Sequence, residues 1–184
     1  MLACAENAVS ANAQHPGDVV KAYNGKTIEI NNTDAEGRLA LADALSYTED
    51  KLKPKRFVDL ATLTGAVTVA LGYHITGAMG NDEKWVQTVI KAARKNDERI
   101  WELPMDDDFK SACKGSFTDL QNINNSVPAG SSYAGAFLSH FVKDTPWTHL
   151  DIAGTAWAEK PTSVTEYGAT AVMLRTLVEL AEQV

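Results

Sequence analysis

The chain has 184 residues, enough for a single domain spanning 1–184 with its own core, and its 45% hydrophobic and 22% charged content is ordinary for a globular protein. Lysine and arginine number 17 against 24 acidic residues, a net charge of −7, which leaves no basic stripe for nucleic acid and no broad phosphate-binding surface. Two cysteines, Cys4 and Cys113, are too few for a disulfide framework, so a reducing, cytoplasmic compartment is expected. No apolar run approaches the roughly 18 residues of a membrane span, and no membrane partner is expected.

The N-terminus, Met1-Leu2-Ala3-Cys4-Ala5-Glu6, has no basic region of a signal peptide. It opens on apolar residues without a cap, the pattern of a chain that starts inside a strand of something larger. His15-Pro16-Gly17-Asp18 is a turn signal. Val19-Val20 and residues 27–30 predict strands joined by a hairpin turn at Tyr23-Asn24-Gly25. From Gly37 the period becomes helical, with Leu41, Leu45 and Leu52 on one stripe and Pro54 as the stop.

Residues 57–61 predict a short, well-buried strand, and Ala66 to Leu71 a helix behind Thr62-Leu63-Thr64-Gly65. Trp85, Val89 and Ala92 lie at helical spacing within 84–95, and a small-residue helix is expected over 130–141. Residues 148–153 predict a strand closed by Gly154. The last helix is expected over 168–184, with Met173, Leu177, Leu180 and Val184 on one face. Strands alternating with helices predict an α/β fold, a mixed and mostly parallel sheet flanked by helices. Ligands in such sheets sit beyond the C-terminal ends of strands, where Asn-Thr-Asp-Ala-Glu-Gly-Arg (32–38), Ala-Thr-Leu-Thr-Gly (61–65) and Asp-Ile-Ala-Gly (151–154) all fall, so the three segments are expected at one site.

Asp34 and Glu36 are two residues apart, and in extended backbone they would face the same side, with Arg38 following. Paired carboxylates repel unless a cation intervenes, and oxygen ligands suit magnesium, manganese or zinc. An arginine beside them suits an anion or developing negative charge. The competing reading is capping: Thr33 or Asp34 at a helix start, with Glu36 in the first turn, needs no metal. From spacing alone capping is the better supported.

His149 and Asp151 share a strand face, with His140 upstream, and offer metal ligands, although such groups in a strand are more often satisfied structurally. Asp106-Asp107-Asp108 predicts a solvated helix start, and Trp85, Trp101, Trp147 and Trp157 read as packing residues. No Gly-x-Ser-x-Gly elbow, His-Glu-x-x-His pair, Walker loop or Cys-x-x-Cys occurs.

The longer strings say more than their parts. Asn32-Thr33-Asp34-Ala35-Glu36-Gly37-Arg38-Leu39 resembles the signature of the two-metal leucyl aminopeptidase (cytosol aminopeptidase) family. Ala5-Glu6-Asn7, Pro16-Gly17-Asp18-Val19 and Gly25-Lys26-Thr27-Ile28-Glu29 are similar to its lead-in. Ala61-Thr62-Leu63-Thr64-Gly65-Ala66 resembles its next active-site loop, and His149 through Trp157 its late strand and pocket. The matches keep their order from about Ala3 to the last helix.

The resemblance implies that Asp34 and Glu36 ligate two divalent metals, manganese or zinc, and that Arg38 holds a bicarbonate acting as general base. It implies that Asn32, Thr62, Leu63 and Gly65 contact substrate and bicarbonate, and that Ala153 and Ala156 line a pocket for a leucine-sized side chain. Peptide substrates cut after a leucine-like N-terminal residue follow, as does a homo-oligomer, a hexamer in the family.

Two departures stand beside the match. The family's glycine-rich segment, with a lysine and aspartate that ligate metal and a second, electrophilic lysine, has no counterpart here: neither Asp-Ser-Gly-Gly nor Asp-Thr-Gly-Gly occurs. Gly168-Ala169-Thr170 is similar to the family's Gly-Ala-Thr-Gly, but Ala171 stands in the last place. The chain is therefore expected to be the C-terminal part of a catalytic domain, truncated on its N-terminal side and by itself inactive or nearly so. Weak metal binding, an unpaired strand edge and self-association are expected with it. The alternative is a non-catalytic oligomerisation or binding module derived from that family.

Overall fold

The computed structural model describes residues 1–162 and 165–183. The elements in chain order are β1 (Val19–Lys21), β2 (Thr27–Glu29), α1 (Gly37–Tyr47), β3 (Phe57–Ala61), α2 (Gly65–Leu71), β4 (Thr76–Gly80), α3 (Glu83–Lys95), β5 (Ile100–Glu102), α4 (Asp107–Ala112), β6 (Leu120–Gln121), α5 (Gly130–Ser139), β7 (Trp147–Asp151), β8 (Trp157–Ala158), β9 (Gly168–Ala169) and α6 (Leu174–Glu182). The chain divides into two compact units. One is Met1–Lys55 with Met105–Thr145, the other Arg56–Pro104 with Pro146–Val184.

In the first unit, β1 and β2 form the expected antiparallel hairpin, with Val19 opposite Glu29, and Gly25 turns it at φ +90°. That left-handed geometry is open to glycine without a side-chain clash. β2 also pairs in parallel with β6, Ile28 facing Leu120. Beside this sheet α5 packs on α1 and α4. Ile28, Ile30, Leu45, Tyr133 and Phe137 are buried, and the rings of Phe137 and Phe141 lie 5.2 Å apart.

The helix expected up to Leu52 stays α-helical only to Tyr47. Residues Thr48–Leu52 form a wider π turn, closed by the amide of Lys53 on the carbonyl of Thr48 at 3.1 Å. A π turn takes more residues per revolution, so Leu52 leaves the buried stripe and is exposed. The Asp106–Asp108 run starts a helix as expected: Asp106 caps α4 by accepting from the amide of Phe109 at 3.2 Å.

The second unit is built on a four-stranded sheet of order β3-β7-β4-β5. The β3–β7 and β4–β5 pairs are parallel and β4–β7 is antiparallel, so the sheet is mixed, as the alternation of elements predicted. α3 lays Trp85, Val86, Val89, Ile90 and Ala93 on this sheet, and Met173 and Leu180 complete the cluster. β3 is half-buried rather than well buried, because it lies at the edge of the sheet. The central strand β4, Thr-Gly-Ala-Met-Gly, escaped prediction: it has no β-branched alternation and is recognised only by its neighbours.

The last helix begins at Leu174, not Gly168. Gly168-Ala169 instead pairs with Trp157-Ala158, and Ala171 and Met173 adopt left-handed φ of 52° and 66°, which no α-helix accommodates. Met173 and Leu180 are buried and Leu177 half-buried, while Val184 lies outside the described residues. Trp85 and Trp147 pack in the core, but Trp101 on the edge strand β5 and Trp157 on β8 are mostly exposed.

Candidate functional site

The first unit carries Asn32, Asp34, Glu36 and Arg38. Asn32 has extended backbone, and its side-chain oxygen accepts from the amide of Asp34 at 2.9 Å, winding Thr33–Ala35 into a 3-10 turn. Neither Thr33 nor Asp34 is therefore the cap, and the extended geometry expected for Asp34 and Glu36 is absent. Along an α-helix successive side chains turn by about 100°, so residues two apart diverge. Arg38 parts from the two carboxylates: Asp34 and Glu36 are exposed, whereas Arg38 is 6% exposed.

Arg38 Nη1 donates to the carbonyl of Asn122 at 2.8 Å, and its guanidinium carbon lies 6.0 Å from the Tyr133 ring centre. Burial pushes the Tyr133 hydroxyl far above its ordinary range. Glu36 accepts a long hydrogen bond, 3.4 Å, from the Asn7 side chain. Asn122 holds the start of this turn. Its side chain is fully buried, accepts from the amides of Asn31 at 2.8 Å and Asn32 at 3.4 Å, and donates to the carbonyl of Asn32 at 2.6 Å. No sequence pattern singled Asn122 out.

The second unit carries Thr62, Leu63, Gly65, Ala153 and Ala156. Thr62 and Gly65 are exposed, and Leu63, Ala153 and Ala156 are half-buried. Thr64, between them, caps α2 by accepting from the amide of Val67 at 3.2 Å. Asp151, at the end of β7, has no exposed surface. Its Oδ1 accepts from the amides of Leu63 (3.2 Å), Thr64 (3.4 Å) and Ala153 (3.2 Å), and its Oδ2 from the Thr64 hydroxyl at 2.6 Å. Two of the three segments expected at one site, 61–65 and 151–154, are thus tied together through Asp151.

His149 and Asp151, which the sequence offers as metal ligands, both have protein partners. Both oxygens of Asp151 are taken by protein donors, and His149 Nδ1 lies 2.7 Å from Asp59 Oδ1. Asp59 and His149 are direct neighbours across β3 and β7, and the indole of Trp147 donates to the other oxygen of Asp59 at 2.5 Å. His140 is turned to the carbonyl of Lys110, 3.1 Å away, and burial lowers its pKa.

Asp34 and Glu36 have the oxygen chemistry a divalent cation takes, but two carboxylates do not complete a two-metal centre, whose ions sit about 3.5–4 Å apart and share several ligands. Among the described residues no group of three or more His, Cys, Asp and Glu side chains is placed to hold a metal ion. The residues present do not by themselves fit the pair of metals. No helix among them is long and apolar enough to cross a membrane.

The mixed sheets flanked by helices, with these segments at strand ends, are consistent with a peptidase catalytic domain. Residues 1–178 match the model of the cytosol aminopeptidase family, catalytic domain, and the chain belongs to that family. A protein of Synechococcus sp. (strain JA-3-3Ab) described as "Probable cytosol aminopeptidase" is 50% identical over 179 residues, 97% of this chain and 35% of the relative. Proteins of the same description from Fusobacterium nucleatum and Wolbachia pipientis wMel are 48% and 47% identical, over 96% and 100% of this chain, each match taking 37% of the relative. The chain spans about a third of the length of the curated relatives it matches.

Proposed function

We propose that the chain is part of a two-metal aminopeptidase that removes N-terminal, leucine-like residues from peptides in the cytoplasm. What carries this reading is the family match over residues 1–178 together with the intact Asn-Thr-Asp-Ala-Glu-Gly-Arg string. In it Asp34 and Glu36 contribute ligands to two manganese or zinc ions, and Arg38 holds bicarbonate. Asn32, Thr62, Leu63 and Gly65 contact substrate, and Ala153 and Ala156 line the side-chain pocket, where small apolar walls suit leucine. The active form is a homo-oligomer, a hexamer as in the family.

The 184-residue polypeptide alone has little or no activity on this reading, because Asp34 and Glu36 supply only part of a ligand set and no counterpart of the glycine-rich, lysine-bearing segment occurs in it. Retention of Asp34, Glu36 and Arg38 together favours an enzyme over a purely binding module.

The test is manganese titration and leucyl-anilide hydrolysis by the purified polypeptide beside Asp34→Asn and Glu36→Gln. Weak manganese binding, lost in both variants and without turnover, supports the reading. Binding equal in all three overturns the ligand roles. Turnover that disappears in Asp34→Asn confirms those roles and overturns the inactivity.

A further inference from the structure

Asp151 is a fully buried carboxylate with four protein donors on its two oxygens, and the proposed chemistry gives it no part. A buried charge is costly unless hydrogen bonds replace its water, and backbone amides pointing at a carboxylate supply that replacement. The donors come from two stretches far apart in sequence. Leu63 and Thr64 belong to the turn between β3 and α2, and Ala153 follows β7.

The neighbouring bonds carry the same link further. The amide of Ile152 donates to the carbonyl of Ala61 at 2.9 Å, and the amide of Ala156 to the carbonyl of Ile152 at 2.9 Å. Thr64 is shared: its hydroxyl donates to Asp151 while its oxygen accepts from Val67, so the start of α2 and the carboxylate are held by one side chain. The backbones of Leu63, Thr64 and Ala153 are thereby tied to one carboxylate.

We propose that Asp151 is the positioning residue of this loop pair: its carboxylate sets the backbone of 62–65 against Ala153, so that the atoms facing substrate are held in one arrangement before substrate arrives. Its role in substrate binding rests on the aminopeptidase reading above; its role as anchor does not. A preorganised backbone lowers the ordering cost of binding. Asp151 acts through Leu63, Thr64 and Ala153 and itself touches no reacting atom.

The experiment is site-resolved amide hydrogen exchange by NMR on the whole 184-residue chain, comparing wild type with Asp151→Ala, Asp151→Asn, Thr64→Ala and Thr64→Ser. In Asp151→Ala the amides of Leu63, Thr64 and Ala153 are expected to exchange at least tenfold faster, while Leu150 and Ala78 in the sheet stay within twofold. Thr64→Ser, which keeps the hydroxyl, is expected to match wild type, and Thr64→Ala to speed exchange at Leu63 and Thr64. Unchanged exchange at the three amides, or equal acceleration at Leu150 and Ala78, overturns the anchor. If Asp151→Ala does not fold, Asp151→Asn and the Thr64 pair decide on the same criteria.

A second arm adds leucinamide with manganese. Resonance shifts at Leu63 and Gly65 that are present in wild type and at least halved in Asp151→Asn support the role in binding, and identical shifts in both overturn it. No shift in wild type counts against the aminopeptidase reading of this chain, while the exchange data still decide the anchor.

Discussion

The side chain of Asn122 grips the backbone of Asn32 on both sides, accepting from its amide at 3.4 Å and donating to its carbonyl at 2.6 Å. The carbonyl of Asn122 meanwhile receives Arg38 at 2.8 Å. One buried residue therefore holds both the start of the Thr33–Ala35 turn and the guanidinium of Arg38. Asn122→Ala leaves part-buried backbone groups of Asn31 and Asn32 without their partner, and a loss of about 1–3 kcal/mol is expected from urea unfolding. An unfolding midpoint within error of wild type would show that water replaces the amide at no cost.

The backbone of Ala171 is left-handed at φ 52°. An alanine methyl is disfavoured there and a glycine is not. Ala171 is exposed, so removing its methyl forfeits little packing. Ala171→Gly is expected to stabilise the chain by about 1 kcal/mol, read as a rise in thermal midpoint. A fall would mean that the lost chain stiffness outweighs the relieved backbone.

Cys113 has no exposed surface, and burial pushes its thiol up to about 11, against smaller lowering effects of Tyr133 and Arg38. The thiolate is the reactive form, so at pH 7.5 Cys113 is expected to stay unmodified by iodoacetamide while the exposed Cys4 is alkylated. Mass spectrometry of the native chain should show a single adduct, on Cys4. In urea both thiols should react.

Glu49 receives the amides of Lys143 at 2.8 Å and Thr145 at 3.1 Å. Burial pushes its carboxyl up, but these amide bonds together outweigh burial and hold it below the ordinary 4.5. A carboxyl with a lowered folded pKa binds fewer protons in the native state than when unfolded. Its contribution is therefore whole above pH 4.5 and is lost as pH falls through the folded value. Glu49→Gln is expected to flatten the acid limb of stability below pH 4.5. An acid limb as steep as in wild type would assign that limb to other carboxyls.

Local pattern was enough for much of the fold. The hairpin at Gly25, the starts of α1 and α4, and the face of α3 carried by Trp85, Val89 and Ala92 were legible because each is decided by residues within a few positions of one another. β4 was not legible, since a strand of glycine, alanine and methionine is defined by β5 and β7 beside it. The end of the chain was misread as continuous helix because left-handed turns at Ala171 and Met173 leave no mark on hydrophobic spacing.

The same division runs through the site. The sequence by itself determined the family, since a string such as Asn-Thr-Asp-Ala-Glu-Gly-Arg and its ordered companions are properties of the chain order alone. Only the tertiary structure decided where those side chains go. Arg38 is buried under Asn122 while Asp34 and Glu36 stay in solvent, and both oxygens of Asp151 are taken by protein donors. The physical reason is that a polar group's partner can lie 84 or 87 positions away in the chain, as with Arg38 and Asn122 or Thr64 and Asp151. Hydrogen-bond satisfaction, which fixes what a buried group is able to do, is settled by such distant pairs.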